Sequence, residues 1–82
     1  MLIEITPAQC RAARALLGWT QPQLAEAAKL GLSTVVDFEK SRRQVSSEAV
    51  GAISSALRDR GVEFTNGDAP GVRLIGKQRN NA

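Results

Sequence analysis

Lys40, Ser41, Arg42 and Arg43 place three cations and a hydroxyl in four consecutive positions, and Gln21 puts a side-chain amide just after the helix-capping signal of Thr20. Their chemistry is that of holding anions. Cations neutralise phosphates, and a donor in the first turn of a helix works alongside free backbone amides and the helix dipole. Gln21 is equally compatible with a solvated helix start. The formal charge of the 82-residue chain is +3, from 11 Lys and Arg against 8 Asp and Glu. Lys40, Arg42 and Arg43 form one basic cluster and Arg73, Lys77 and Arg79 a second, while the remaining residues are net acidic. Excess charge concentrated in two places fits a surface that binds a phosphate backbone, although a short basic run alone is also compatible with an exposed loop.

Other chemistries have little to work with. The chain contains no histidine, which removes the commonest general base, and it has neither a glycine-rich phosphate loop nor a Gly-x-Ser-x-Gly elbow. An enzyme is therefore not expected, and no cofactor is implied. The single cysteine, Cys10, has no internal disulfide partner, and the carboxylates show no metal-ligand spacing. Cys10 lies three and seven residues before Ala13 and Leu17, as expected of a small core residue, with a redox role as the lesser reading. A content of 43% hydrophobic and 23% charged residues is that of a folding chain. No apolar run approaches the roughly 20 residues of a membrane span, and the amino terminus lacks the basic and apolar regions of a secretion signal, so a cytoplasmic location is expected.

The elements that must position these residues are marked by their punctuation. Thr6-Pro7-Ala8-Gln9 combines a capping threonine, a proline at the first helical position and a capping-box glutamine, starting a first helix that runs to about Leu17. Gly18 stops it, and Thr20 with Gln23 caps a second helix over residues 21–29. A third helix spans Leu32 to Lys40 with Val35 and Phe38 inward. Ser46 or Ser47 starts a fourth, in which Val50, Ile53 and Leu57 recur at three- and four-residue intervals before Gly61. Beyond it, Val62-Glu63-Phe64 and Val72-Arg73-Leu74 alternate apolar and charged residues around a turn-rich segment, which predicts a β-hairpin. Leu2-Ile3-Glu4-Ile5 reads as an edge strand or an extended arm. One domain over residues 1–76 is expected, followed by a basic disordered tail over 77–82.

Thr20-Gln21, Leu24-Ala25, Leu30, Ser33-Thr34-Val35, Phe38-Glu39 and the helix start at Ser46 resemble the Cro and phage-repressor-like, XRE-type helix-turn-helix domains over roughly residues 12–57. The resemblance implies a mainly α, lambda-repressor-like bundle of four short helices with the hairpin appended. It implies that Gln21, Lys40, Ser41, Arg42 and Arg43 contact a DNA backbone, and that Arg14 and Glu39 form a partly buried structural ion pair from which Arg14 could also reach a phosphate. The third helix would enter the major groove, offering Leu32, Ser33, Thr34, Val36 and Asp37 to the bases. Leu32 and Val36 can make only apolar contacts, and Asp37 either accepts from cytosine or pairs with a cation such as Arg42. Two residues depart from the family pattern. Lys29 stands where a turn glycine is usual, at a cost on the order of 1 kcal/mol that invites a shifted turn, and Gly31 replaces the usual capping hydroxyl of the third helix.

By the same resemblance the chain is expected to bind double-stranded DNA as a sequence-specific transcriptional regulator. It would form a homodimer through the C-terminal hairpin, the N-terminal strand or both, and read an inverted repeat. The alternative is a protein-interaction module on the same fold, an antitoxin or antiactivator with a protein partner.

Overall fold

In a computed structural model, which describes residues 5–66 and 68–75, four helices precede a two-stranded hairpin: α1 (Pro7–Leu17), α2 (Gln21–Ala28), α3 (Leu32–Lys40), α4 (Ser47–Arg58), β1 (Val62–Thr65) and β2 (Gly71–Leu74). The N-terminal strand, apart from Ile5, and the basic tail over 77–82 lie outside the described residues. Ile5 itself is buried in the core ahead of α1.

Helix starts follow the capping residues. Thr6 Oγ1 accepts from the Gln9 amide at 3.0 Å while Gln9 Oε1 accepts from the Thr6 amide at 2.9 Å, and Thr20 and Gln23 repeat this reciprocal pair at 3.2 and 2.8 Å. Each box satisfies two amides that the helix leaves without partners. Ser46, not Ser47, caps α4 by accepting from the Ala49 amide at 3.1 Å. At α3 the cap position is Gly31, which supplies no side-chain acceptor.

The first three helices end in one motif. Residues Gly18, Lys29 and Ser41 adopt left-handed backbone at φ 69°, 61° and 55°. Their amides return to the carbonyls of Ala15, Glu26 and Phe38, and the following amides return to Arg14, Ala25 and Asp37. This is the Schellman pair, which satisfies the last carbonyls of each helix. Lys29 therefore takes the glycine conformation in place, and the turn is not shifted. Holding it there are those two bonds and the packing of Ala28 and Leu30 against the core. Helix α2 ends one residue earlier than its sequence pattern predicts because Lys29 is that left-handed residue.

The core joins Cys10 and Ala13 of α1, Leu24 and Ala25 of α2, Val35 and Phe38 of α3, Val50, Ile53 and Leu57 of α4 and Val62 of β1. Ala25 is small where α2 meets α3, which lets the two backbones approach. In the antiparallel hairpin Val62 pairs with Leu74 and Phe64 with Val72, so one face is apolar, while Glu63 and Arg73 pair on the other through an ion pair at 2.6 Å. The Ile75 amide donates to the Gly61 carbonyl at 2.8 Å, and a Cβ on Gly61 would sit 3.0 Å from the Ile75 carbonyl oxygen. Glycine is what lets the two segments close there.

A hairpin is marginal alone and needs a surface to fix it. Gln9 supplies part of that surface: besides its capping bond, its Nε2 donates to the carbonyls of Thr65 at 2.7 Å and Gly71 at 3.0 Å, tying both strand ends to α1. Gln9 is buried. Gln9→Ala should cost about 1–3 kcal/mol by leaving buried polar groups unpaired, with the loss concentrated in faster hydrogen exchange of the hairpin amides. Loss spread evenly over all helices would contradict this pinning role. Ser54, on α4, is also buried, and its hydroxyl has no hydrogen-bond partner among the described residues.

Candidate nucleic-acid interface

The centre of the site is a carboxylate. Glu39 is 2% exposed, in the last turn of α3, and it gathers donors from both preceding helices. Arg14 Nε donates to Oε2 at 2.7 Å and Arg14 Nη2 to Oε1 at 2.8 Å, the bidentate geometry that a planar guanidinium favours. Gln21 Nε2 donates to Oε1 at 3.0 Å, and the Cys10 thiol donates to Oε2 at 3.0 Å. Cys10 and Arg14 are four residues apart on α1, so one helical face presents both to the same carboxylate. Arg11 Nη1 donates to the backbone carbonyl of Glu39, so α1 holds both the side chain and the main chain of this residue.

Electrostatics follow from this geometry. Burial pushes the Glu39 carboxyl upward, but the hydrogen bonds from Arg14, Cys10 and Gln21 and the Arg14 charge outweigh it and hold the carboxyl below its ordinary 4.5. The hydrogen bond to Glu39 raises Arg14, against the opposing effect of its own burial. The Cys10 thiol is pushed far up by burial and then by the hydrogen bond and charge of Glu39, so it stays a thiol. Because the folded state lowers the pKa of Glu39, its contribution to stability is fully present above about pH 4.5 and is lost as the pH falls through the depressed folded value. The thermal midpoint of the wild-type chain should therefore drop more steeply on acidification than that of Glu39→Gln. Parallel curves would contradict the assignment.

The expected ion pair between Arg14 and Glu39 is thus present. The guanidinium is turned inward: with Nη1 donating to the Trp19 carbonyl at 3.0 Å, three of its five N–H groups are engaged inside the protein and its side chain is 19% exposed. Gln21 is half-buried, and Glu39 takes one of its two amide hydrogens. The sequence reads Cys10 as core, with a redox role as the lesser alternative, and gives neither it nor Arg11 a part in this cluster. Their spacing from Arg14 along α1 was the available signal.

On the opposite side of α3, Leu32 and Ser33 are exposed, Thr34, Val36 and Asp37 are half-buried, and Lys40 is exposed at the end of the helix. With Val35, Phe38 and Glu39 turned into the core, helical periodicity puts Ser33 and Asp37 near the middle of the outward face. Ser41, Arg42 and Arg43 are exposed just beyond. The cationic partner of Asp37 is Arg43, whose Nε donates to Oδ2 at 2.8 Å, rather than Arg42. The left-handed turn at Ser41 accompanies a bond from the Arg42 amide to the Asp37 carbonyl, so Arg42 meets Asp37 through its backbone while its side chain is left for solvent. The structure thus brings the outward residues of α3 and the basic run together on one side, with Gln21 at the start of α2 linked to them through Glu39.

Among the described residues no group of acidic, cysteine or histidine side chains could hold a metal ion, and no helix is long and apolar enough to cross a membrane. No curated protein matched the chain. A helix-turn-helix family model matches residues 11–60, more than half of the 82, and takes in α1 from Arg11 onward, both helices of the turn and α4. On that match, and on the arrangement of α2 and α3 about Glu39, the chain belongs to the Cro- and phage-repressor-like, XRE-type helix-turn-helix family.

Proposed function

We propose that this protein is a sequence-specific DNA-binding transcriptional regulator that acts in the cytoplasm as a homodimer on an inverted-repeat operator. Each subunit would place α3 in a major groove, with the two grooves about 34 Å apart along one face of the duplex. The observation that carries the reading is the Glu39 clasp. It fixes α2 to α3 and aims Gln21, while the outward face of α3 and Lys40, Ser41, Arg42 and Arg43 share the same side. In this account Gln21 donates its second amide hydrogen to a phosphate at the α2 start, where the dipole favours an anion. Lys40, Ser41, Arg42 and Arg43 grip the backbone and set register, and Leu32, Ser33, Thr34, Val36 and Asp37 face the bases. Arg14 serves chiefly through Glu39.

Support for a homodimer through the hairpin comes from Leu74 and Ile75, which are 45% and 48% exposed at the end of β2. Apolar side chains on a terminal strand are what a second hairpin would cover. A mobility-shift titration with the duplex from the protein's own upstream region tests the proposal. A two-subunit complex that resists nonspecific competitor is expected. A folded protein that forms no specific complex at low salt would overturn it.

A second reading is a protein-interaction module on the same fold, an antitoxin or antiactivator. It is favoured by the exposed Leu32 on α3 and by a helix with no Arg, Asn or Gln among its outward residues. The double substitution Arg42→Ala with Arg43→Ala separates the two: it should weaken DNA binding and flatten its salt dependence while leaving capture of a protein partner intact.

A further inference from the structure

Of the outward residues of α3, Leu32, Ser33, Thr34, Val36 and Asp37 include none of the side chains that pair in bidentate fashion with guanine or adenine, and Lys40, in the last turn, is taken up by the backbone in the reading above. Their apolar, hydroxyl and carboxylate contacts leave guanine without a bidentate reader, and the structure offers one from outside the helix. Arg43, in the segment after α3, lays its guanidinium against Asp37, with Nε donating to Oδ2 at 2.8 Å. The arginine side chain is 52% exposed and the aspartate 21%. Only the inner nitrogen is used: Nη1 and Nη2 carry no hydrogen bond among the described residues. Those two terminal nitrogens form the edge that matches O6 and N7 of guanine.

Resting on the DNA-binding reading above, we infer that Arg43 is a specificity-determining residue that reads guanine in the major groove, held over the outward face of α3 by Asp37 as its positioning residue. A carboxylate on the face of a DNA-reading helix is repelled by phosphates unless it accepts from a cytosine or pairs with a cation. Paired with Arg43 it is neutralised, and it fixes a long side chain that would otherwise lose rotamer freedom on binding. Arg42 and Arg43 then divide the work, and Arg43 leaves the backbone-gripping set of the reading above for a base contact. Arg42 extends to solvent as a phosphate contact, and Arg43 is turned back onto the helix.

Selection from a random duplex library by the wild-type chain, Arg43→Ala, Arg43→Lys and Asp37→Ala tests this, each protein first shown to be folded by circular dichroism. The wild-type consensus is expected to hold a guanine in each half-site, preferred by roughly 5–150-fold, as one good bidentate pair provides. That preference should vanish in Arg43→Ala and in Arg43→Lys, which keeps the charge but loses the fork, and relax in Asp37→Ala, with the other selected positions kept. A guanine that survives in Arg43→Ala, or in Arg43→Lys, overturns the inference. So does a loss of affinity that is equal for all sequences, the mark of a phosphate contact, and so does a wild-type consensus without guanine. A folded wild-type chain that selects no consensus at all overturns the sequence-specific reading itself, and the inference with it, so the two failures are told apart.

Discussion

Glu39→Ala is expected to lower the thermal midpoint by about 15–30 °C. The substitution removes the acceptor of four side-chain hydrogen bonds, two from Arg14 and one each from Cys10 and Gln21. It leaves the guanidinium of Arg14, whose side chain is 19% exposed, without its countercharge. Breaking one side of such a pair costs about 3–5 kcal/mol, against a total stability of about 4–12 kcal/mol for a domain of this length. The cost comes from stranding the partner more than from losing attraction, since burying two charges is itself expensive. Arg14→Met combined with Glu39→Met should therefore regain much of the lost midpoint. The pair of experiments separates stability from docking, because the double variant still lacks the acceptor that aims Gln21 and should bind DNA more weakly than wild type. A midpoint for Glu39→Ala within about 5 °C of wild type would show that the clasp is not buried in solution.

Binding should depend most steeply on Lys40 and Arg42. Both are exposed, and neither side chain is held by an ion pair among the described residues. Each phosphate contact adds about −0.9 to the slope of log affinity against log salt, so Lys40→Ala with Arg42→Ala should reduce the slope by about 1.8 per subunit. Between roughly 50 and 200 mM salt each lost contact corresponds to about a 3.5-fold difference in affinity, and a dimer loses four of them. Base preference should not change, because phosphates carry no sequence information. Fluorescence anisotropy over a salt series reads both quantities. An unchanged slope would remove these residues from the backbone contact.

Local chemistry made much of the fold legible. Thr6 with Gln9 and Thr20 with Gln23 are each complete within four residues, so both helix starts and the offset between α1 and α2 can be read directly. The periodicity of Val50, Ile53 and Leu57 does the same for α4, and the alternation around Val62 and Val72 for the hairpin. Longer-range relations were less accessible. Gln9 is fully explained by its capping box, and nothing local reveals that the same amide also reaches carbonyls 56 and 62 residues away. Lys29 has a poor intrinsic preference for left-handed backbone, yet the core packing of its neighbours and the two returning amide bonds override that preference. Asp37 was legible as a residue in need of a cation, but the choice of Arg43 over Arg42 depends on the course of the chain after the left-handed turn at Ser41.

The placement of α3 against DNA is tested most directly by crosslinking from its surface. Ser33, near the middle of the outward face, and Ser55, exposed on α4, can each be changed to cysteine and labelled with a photoreactive group, because Cys10 is buried and held as a thiol. In the complex with its own upstream duplex, Ser33→Cys is predicted to crosslink to bases in the operator while Ser55→Cys gives none. Crosslinks from Ser55→Cys with none from Ser33→Cys would contradict the account.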